Sequence, residues 1–201
     1  MPLTFRTKDS AKISLVKVGN PSTIPTLYYS KDYGKNWTRF NVNNIISLAK
    51  GEHISFSGTT ETFTNINWNN TTDTAQFFRF STSGTTSMRL YGNIMSLINN
   101  RTTINNSSIF ACLFQGCSGI SDARRLSLPA TTLVQECYCN MFKDCINLVY
   151  GPQVLPAATA PQLAYDNMFR GCTNLKYSPH IKATSLGHSA FENMFRDCSN
   201  L

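Results

Sequence analysis

The sequence predicts a mainly β chain of α+β character. A β-sandwich-like domain comes first, and a solenoid of short repeats follows it. Three observations predict this. Residues 3–90 break into short β-type runs separated by turn clusters. Beyond residue 109, four segments align on one another at spacings of 28, 27 and 26 residues. The charge and the cysteines also divide the chain: residues 1–104 hold 11 Lys/Arg against 5 Asp/Glu, residues 105–201 hold 7 against 6, and all seven cysteines lie after residue 111. The expected organisation is a β domain over 1–91, a connector over 92–108 and repeats over 109–201.

Composition bounds the class. Charged residues make up 14% of the 201, well below the roughly 25% of an ordinary soluble domain. Ser, Thr and Asn supply 20, 22 and 20 residues, so neutral polar side chains replace charged ones. Hydrophobic residues at 41% are enough for a core. No apolar run approaches the ~18 residues of a membrane helix. Met1-Pro2-Leu3-Thr4-Phe5 has neither a basic n-region nor an apolar h-region, so no export signal is expected. An odd cysteine count without such a signal makes reduced thiols the expectation.

In the first part, strands are expected over 3–7, 12–18, 26–30, 37–42, 45–48, 53–57, 76–81 and 87–91. Between two of them lies Ser30-Lys31-Asp32-Tyr33-Gly34-Lys35-Asn36-Trp37, the S-x-D-x-G-x-x-W pattern called an Asp-box. Its aspartate accepts backbone N–H bonds in the turn, its glycine takes a positive φ, and its tryptophan packs the hairpin back on the sheet. Asp-boxes are familiar from sialidases, where they are folding elements remote from catalysis. One copy therefore predicts a hairpin and says almost nothing about glycosidase activity. Leu90 to Leu97 is expected to connect the sheet to the first repeat.

The repeats read Phe110-Ala-Cys-Leu-Phe-Gln-Gly-Cys117, Tyr138-Cys-Asn-Met-Phe-Lys-Asp-Cys145, Tyr165-Asp-Asn-Met-Phe-Arg-Gly-Cys172 and Phe191-Glu-Asn-Met-Phe-Arg-Asp-Cys198. Each column keeps one chemistry. The aromatic column is Phe110, Tyr138, Tyr165 and Phe191, and the cysteine column is Cys117, Cys145, Cys172 and Cys198. Apolar positions spaced four, three and one apart fit the face of a short helix. Leu128-Pro129-Ala130 and Leu155-Pro156-Ala157 read as extended, because the residue before proline avoids the helical region. One such unit cannot bury its own apolar face, whereas stacked units bury a continuous one. In register with that core, the cysteines read as small buried hydrophobes. Cys137-x-Cys139 has no second closely spaced ligand pair, so neither a metal nor any cofactor is expected. The sequence stops at Leu201 within a repeat, and the natural protein is expected to continue.

The pattern Tyr-x-x-Met-Phe-x-x-Cys-x-Asn-Leu followed by Leu-Pro-Ala-Thr-Thr-Leu resembles the BspA-like leucine-rich repeats of gut anaerobes and their bacteriophages. The first repeat departs from it at Leu113 and Gly119. The N-terminal stretch through Gly92-Asn93-Ile94-Met95-Ser96-Leu97 is similar to the β domain that often precedes these repeats. The resemblance implies a right-handed leucine-rich-repeat solenoid used as a binding or spacer arm.

No catalytic set assembles from the sequence, because acidic residues are few and scattered; an enzyme is not expected. Two functional readings remain. One is a bacteriophage virion component (fibre, decoration or tail-associated), with the β domain docking on other virion proteins or on itself and the repeats reaching a glycan or protein of the host surface. The other is a bacterial surface adhesin. The absent export signal favours the first. Tyr150, Lys176 and Tyr177, in the variable connections, are candidate ligand-binding residues. Lys143, Arg170 and Arg196, a basic stripe after the repeated phenylalanine, are further candidates, although Asp144 and Asp197 beside them make a solvated ridge the plainer reading. No basic-and-aromatic cluster of the kind single-stranded nucleic acid needs is visible, so nucleic acid is not expected as a partner, and neither is membrane insertion. Asn36-Trp37-Thr38 and Asn70-Thr71-Thr72 match the N-glycosylation pattern, and Asp9-Ser10-Ala11 and Asp73-Thr74-Ala75 resemble an O-glycosylation acceptor; in so Asn- and Thr-rich a chain such matches arise by chance.

Overall fold

The computed structural model describes residues 1–21, 24–59 and 76–201. The matches at Asn70 and at Asp73-Thr74-Ala75 lie outside them. Strands β1 (Leu3–Thr7), β2 (Ala11–Val18), β3 (Leu27–Ser30), β4 (Thr38–Phe40), β5 (Ile45–Leu48), β6 (His53–Gly58), β7 (Phe77–Ser83) and β8 (Met88–Asn93) coincide, within a residue or two, with the eight expected. β2 alternates, with Ala11, Ile13 and Leu15 buried and Lys12 exposed, whereas β1 and β6, central in their sheet, are buried at nearly every position and read as short apolar β-type runs.

Six strands form one sheet in the order β4-β3-β6-β1-β8-β9, where β9 is Ile120–Ser127; β5-β2-β7 form a second. Their inner faces meet at phenylalanines. Phe80 of β7 has its ring centroid 5.3 Å from Phe5 and 4.8 Å from Phe56, in tilted contacts. The Asp-box forms the β3–β4 turn. Asp32 accepts from Ser30 Oγ (2.6 Å), the Asn36 amide (2.9 Å) and Asn36 Nδ2 (2.6 Å), which holds its carboxyl far below the usual range. Gly34 takes φ +87°, and a Cβ there would stand 3.3 Å from the Trp37 ring. Trp37 thus folds over the turn and stays 38% exposed, rather than packing into the sheet.

β9 was not foreseen. It comes from the cysteine-rich part, yet it pairs parallel with β8 and extends the first sheet. Its buried residues Ile120, Ala123 and Leu126 recur every third position instead of alternating, because two register shifts interrupt the β8–β9 ladder. One hydrophobic core runs from Leu3 through both parts to Met194.

The short helix expected in each repeat is not formed. The single helical element among the described residues is a 3-10 helix over Ile94–Ile98. Each repeat instead makes a chain of tight turns in which every fourth residue has positive φ: Ser108, Cys112 and Gly116; Glu136, Asn140 and Asp144; Leu163, Asn167 and Gly171; Ser189, Asn193 and Asp197. A left-handed residue at every fourth place cannot continue a right-handed helix. Asn, Asp and Gly, the residues that tolerate this conformation, hold seven of these twelve positions.

The turns explain how the repeats join. Amide hydrogens alternate in destination. Leu113, Met141 and Met168 donate within their own turn to the third residue back. Phe114, Phe142 and Phe169 donate instead to the carbonyls of Met141, Met168 and Met194 in the following copy, at 2.9, 2.9 and 3.0 Å. The phenylalanine column stacks at centroid spacings of 5.2, 5.6 and 5.7 Å. The aromatic column from Phe110 to Phe191 stacks at 6.0, 5.7 and 5.0 Å. Parallel aromatic pairs at such spacings each add about 0.5–1.5 kcal/mol beyond their burial.

The cysteine column has a second role besides filling space. Cys145, Cys172 and Cys198 donate from Sγ to the carbonyls of Phe114, Phe142 and Phe169 in the preceding copy, each at 3.0 Å. All seven cysteines are free. Asn147, Asn174 and Asn200 tie the same junctions by donating from Nδ2 to Ser118, Ile146 and Thr173.

Strand β7 takes the place of a copy ahead of the first. The Phe80 amide donates to the Leu113 carbonyl (2.9 Å), Cys117 Sγ donates to the Phe80 carbonyl (2.8 Å), and the Phe80 ring stacks on Phe114. This accounts for Gly119 where later copies have asparagine: a Cβ at residue 119 would stand 2.6 Å from Thr82 Oγ1, which accepts the Gly119 amide.

A candidate ligand-binding row across the sheet

The register of the first sheet places one residue from each of several strands side by side. His53 of β6 is opposite Arg6 of β1, Arg6 is opposite Arg89 of β8, and Arg89 is opposite Asp122 of β9. Single parallel bridges carry the row into the repeats, from Asp122 to Tyr150 and from Tyr150 to Tyr177. At about 4.8 Å per step the row spans roughly 24 Å on one face. A second row beside it holds Thr4, Tyr91 and Arg125.

Both ends of the row are aromatic. Tyr33, the Asp-box residue at φ 62°, stacks on His53 with centroids 3.6 Å apart and is 78% exposed. A positive φ at so large a side chain is uncommon, and here it points the ring onto His53. Burial lowers the His53 pKa, and the charge of Arg6 lowers it further; among the described residues His53 Nε2 has no hydrogen-bond partner. At the other end Tyr150 and Tyr177 stack at 5.2 Å and 6°. The Arg124 guanidinium covers the Tyr150 ring at 3.9 Å, a cation–π contact. Asp122 holds Arg124 through Nε to Oδ1 (3.1 Å) and Nη2 to Oδ2 (2.9 Å), and Arg89 Nε approaches Oδ2 at 3.9 Å. Burial works to raise the Asp122 pKa, but the bonds from Arg124 outweigh it and keep the carboxyl below its usual range.

The middle of the row is cationic. Arg6 and Arg89 face each other across β1 and β8, a like-charge pair that by itself destabilises the strands. One cleft is lined by Arg6, Arg89, Tyr91, Asp122, Arg124 and Arg125; the next shares Arg6 and Arg89 with it and adds Lys8 and Lys50. A third shares Arg124 and Gln153 with the first and ends at Tyr177 and His180. The clefts therefore form one track. A basic-and-aromatic cluster that the sequence did not reveal is assembled by strand pairing.

Of the candidates named from sequence, Tyr150 and Tyr177 lie in this row. Lys176 is exposed, and its amide donates to the Val149 carbonyl (3.1 Å). Lys143, Arg170 and Arg196 sit on the turns and line none of these clefts. Arg170 and Arg196 approach Asp197 Oδ2 at 3.7 and 3.9 Å, so that stripe is partly neutralised. Arg6, Arg89, Arg124, Arg125, Tyr33 and His53 were missed. Alternation shows that Arg6 and Arg89 point outward, but nothing local shows that β1 and β8 are neighbours. Cys137 faces the main core and Cys139 a small cluster with Phe77, Ala111 and Cys112, so the Cys-x-Cys pair points two ways. Among the described residues no three His, Cys, Asp or Glu side chains group as metal ligands, and no helix is long and apolar enough to cross a membrane.

Compared with protein families, curated proteins and solved structures, the chain matches none of them.

Proposed function

We propose that the chain is a non-enzymatic binding protein and, specifically, a virion component of a bacteriophage infecting gut anaerobes. In this reading the two facing sheets form a sandwich-like domain that docks on the particle through a face other than the row. The stacked copies are a leucine-rich-repeat-type solenoid that projects and turns the row toward the host surface. The observation that carries the binding role is the row from Tyr33 and His53 to Tyr177: exposed aromatic rings and an excess of arginines over the one carboxylate of Asp122, aligned over both parts of the molecule. Exposed aromatic and arginine side chains held by rigid strands are what recognition surfaces are made of. The virion assignment rests on the resemblance of the repeats and of the Gly92–Leu97 connector.

Two measurements test it. Mass spectrometry of purified particles is expected to detect this chain at structural copy number; finding it only in the host cell envelope supports the adhesin reading instead. The purified protein is expected to bind host cells, and Tyr150→Ala with Tyr177→Ala to weaken that binding. Unchanged binding by that variant removes the row from the host contact.

A further inference from the structure

Resting on that reading, we infer that the row binds an acidic polysaccharide whose charges are carboxylates, lying lengthwise from Tyr33 to Tyr177. Charge is the first argument. The cleft centred on the row presents Arg6, Arg89, Arg124 and Arg125 against the single carboxylate of Asp122, and the adjoining cleft adds Lys8 and Lys50 with none. Asp122 is bonded to Arg124 and approached by Arg89 Nε at 3.9 Å, and Arg6 Nε donates to the Gly51 carbonyl (3.3 Å), which leaves the terminal guanidinium nitrogens of Arg6 and Arg89, and Arg125, to offer donors. A guanidinium fork matches a carboxylate in two parallel hydrogen bonds.

The second argument is the cost. Arg6 and Arg89 stand opposite each other, and the carboxylate nearest them, Asp122, lies on the far side of Arg89 and is shared with Arg124, an arrangement that works against the sheet. A carboxylate bound between them removes that repulsion, so the strain becomes a binding term. Length is the third. The track runs for roughly 24 Å over five strand-to-strand steps, far more than a single small anion covers.

The aromatic geometry distinguishes a sugar chain from single-stranded nucleic acid. Nucleic-acid platforms stack successive bases on successive open rings. Here Arg124 covers one face of Tyr150 and Tyr177 the other, while His53 covers one face of Tyr33. The row therefore leaves an open ring face at Tyr33 and arginines along the middle. That suits a sugar ring seated on Tyr33 and uronic-acid carboxylates along the middle.

Affinity electrophoresis of the purified protein through gels containing polygalacturonate, neutral dextran or a single-stranded DNA oligonucleotide tests the inference. Polygalacturonate is expected to retard the protein, less so as salt rises, and dextran to leave it unaffected. Arg6→Ala with Arg89→Ala is expected to weaken polygalacturonate binding about tenfold or more, while melting no lower than the parent because a repulsion is lost. Arg89→Lys keeps the charge and loses the fork, and is expected to fall between. Lys143→Ala with Arg196→Ala, off the track, is expected to bind as the parent does. Retardation by DNA alone, equal retardation by dextran, or full polygalacturonate binding by the double arginine variant overturns the inference. Host-cell binding without polygalacturonate binding overturns the ligand class and leaves the host-surface reading standing; polygalacturonate binding without cell binding does the reverse.

Discussion

The ring of Phe80 lies 5.9 Å from that of Phe114, inclined by 18°, and so heads the same column that runs on through Phe142, Phe169 and Phe195. A strand of the smaller sheet thereby shields the first repeat, and Phe80 also closes the core between the two sheets. Phe80→Ala is expected to cost about 3–5 kcal/mol. Because the residue belongs to both packings, denaturant unfolding of the variant should lower the midpoint for probes in both parts together. A loss confined to the β domain would show that the column does not couple them.

Tyr138 is fully buried in a column otherwise made of Phe110, Tyr165 and Phe191, and its hydroxyl has no partner among the described residues. Tyr138→Phe removes an unsatisfied polar atom and keeps the ring. A gain of about 1 kcal/mol is expected by thermal or chemical denaturation. A loss would place a hydrogen bond on that hydroxyl.

The thiol of Cys145 donates to a carbonyl of the copy before it. If the column were merely apolar filler, Cys145→Ala would be milder than Cys145→Ser. The hydrogen bond reverses that order: serine keeps a second donor to the Phe114 carbonyl, which also accepts the Cys117 amide (3.0 Å), and alanine loses it, at about 1 kcal/mol. Paired unfolding curves of the two variants decide. Burial raises the thiol pKa throughout the column, and pushes Cys117 up to about 12. Cys198, the one only partly buried, is expected to alkylate first in the native protein.

Asn193 sits at φ 51° with its side chain partly exposed. Asn193→Ala is expected to destabilise by about 1 kcal/mol, and Asn193→Gly by little, since only the backbone conformation is at stake. Equal costs for the two would mean that the asparagine side chain, and not its φ, is what matters.

His53 has a lowered pKa in the folded chain, first from burial and then from Arg6. Its contribution is therefore greatest above the unfolded value near 6.5. As pH falls below that value the unfolded chain takes up a proton that the folded one resists, and stability declines until the folded pKa is passed. His53→Phe should flatten this segment of the stability–pH curve. It should leave the acid limb governed by Asp32 and Asp122, whose folded pKa values are also lowered, in place at lower pH.

The strands of the first part were legible because side-chain alternation and short apolar runs are local. β9 was not, because bulges against β8 turn its burial into a period of three. The repeats were legible as repeats, and the extended Leu-Pro-Ala segments agree with the parallel two-residue ladders of Val154–Leu155 on His180–Ile181 and Thr159–Ala160 on Ser185–Leu186. The helix within each copy was misread. Aromatic, methionine and phenylalanine spacings fit a helical face, but the Asn140/Asn167/Asn193 column, followed four residues later by Asp144, Gly171 and Asp197, carried the contrary signal. Tyr150 and Tyr177 were found as aromatics in aligned connections. Their arginine neighbours come from β1, β8 and β9, whose adjacency is a product of the fold alone.

The turn amides that cross each junction point from a copy to the one after it, whereas amides of the connections, such as Lys176, His180 and Lys182, donate back to the copy before. Every junction is also made between segments adjacent in sequence, except the first, where β7 stands in. A chain synthesised from its N-terminus therefore presents a finished face, donors already aligned and a phenylalanine ring already flat, before the next copy leaves the ribosome. Assembly becomes templating: each turn is cast on its predecessor, and β7 of the smaller sheet is the first mould.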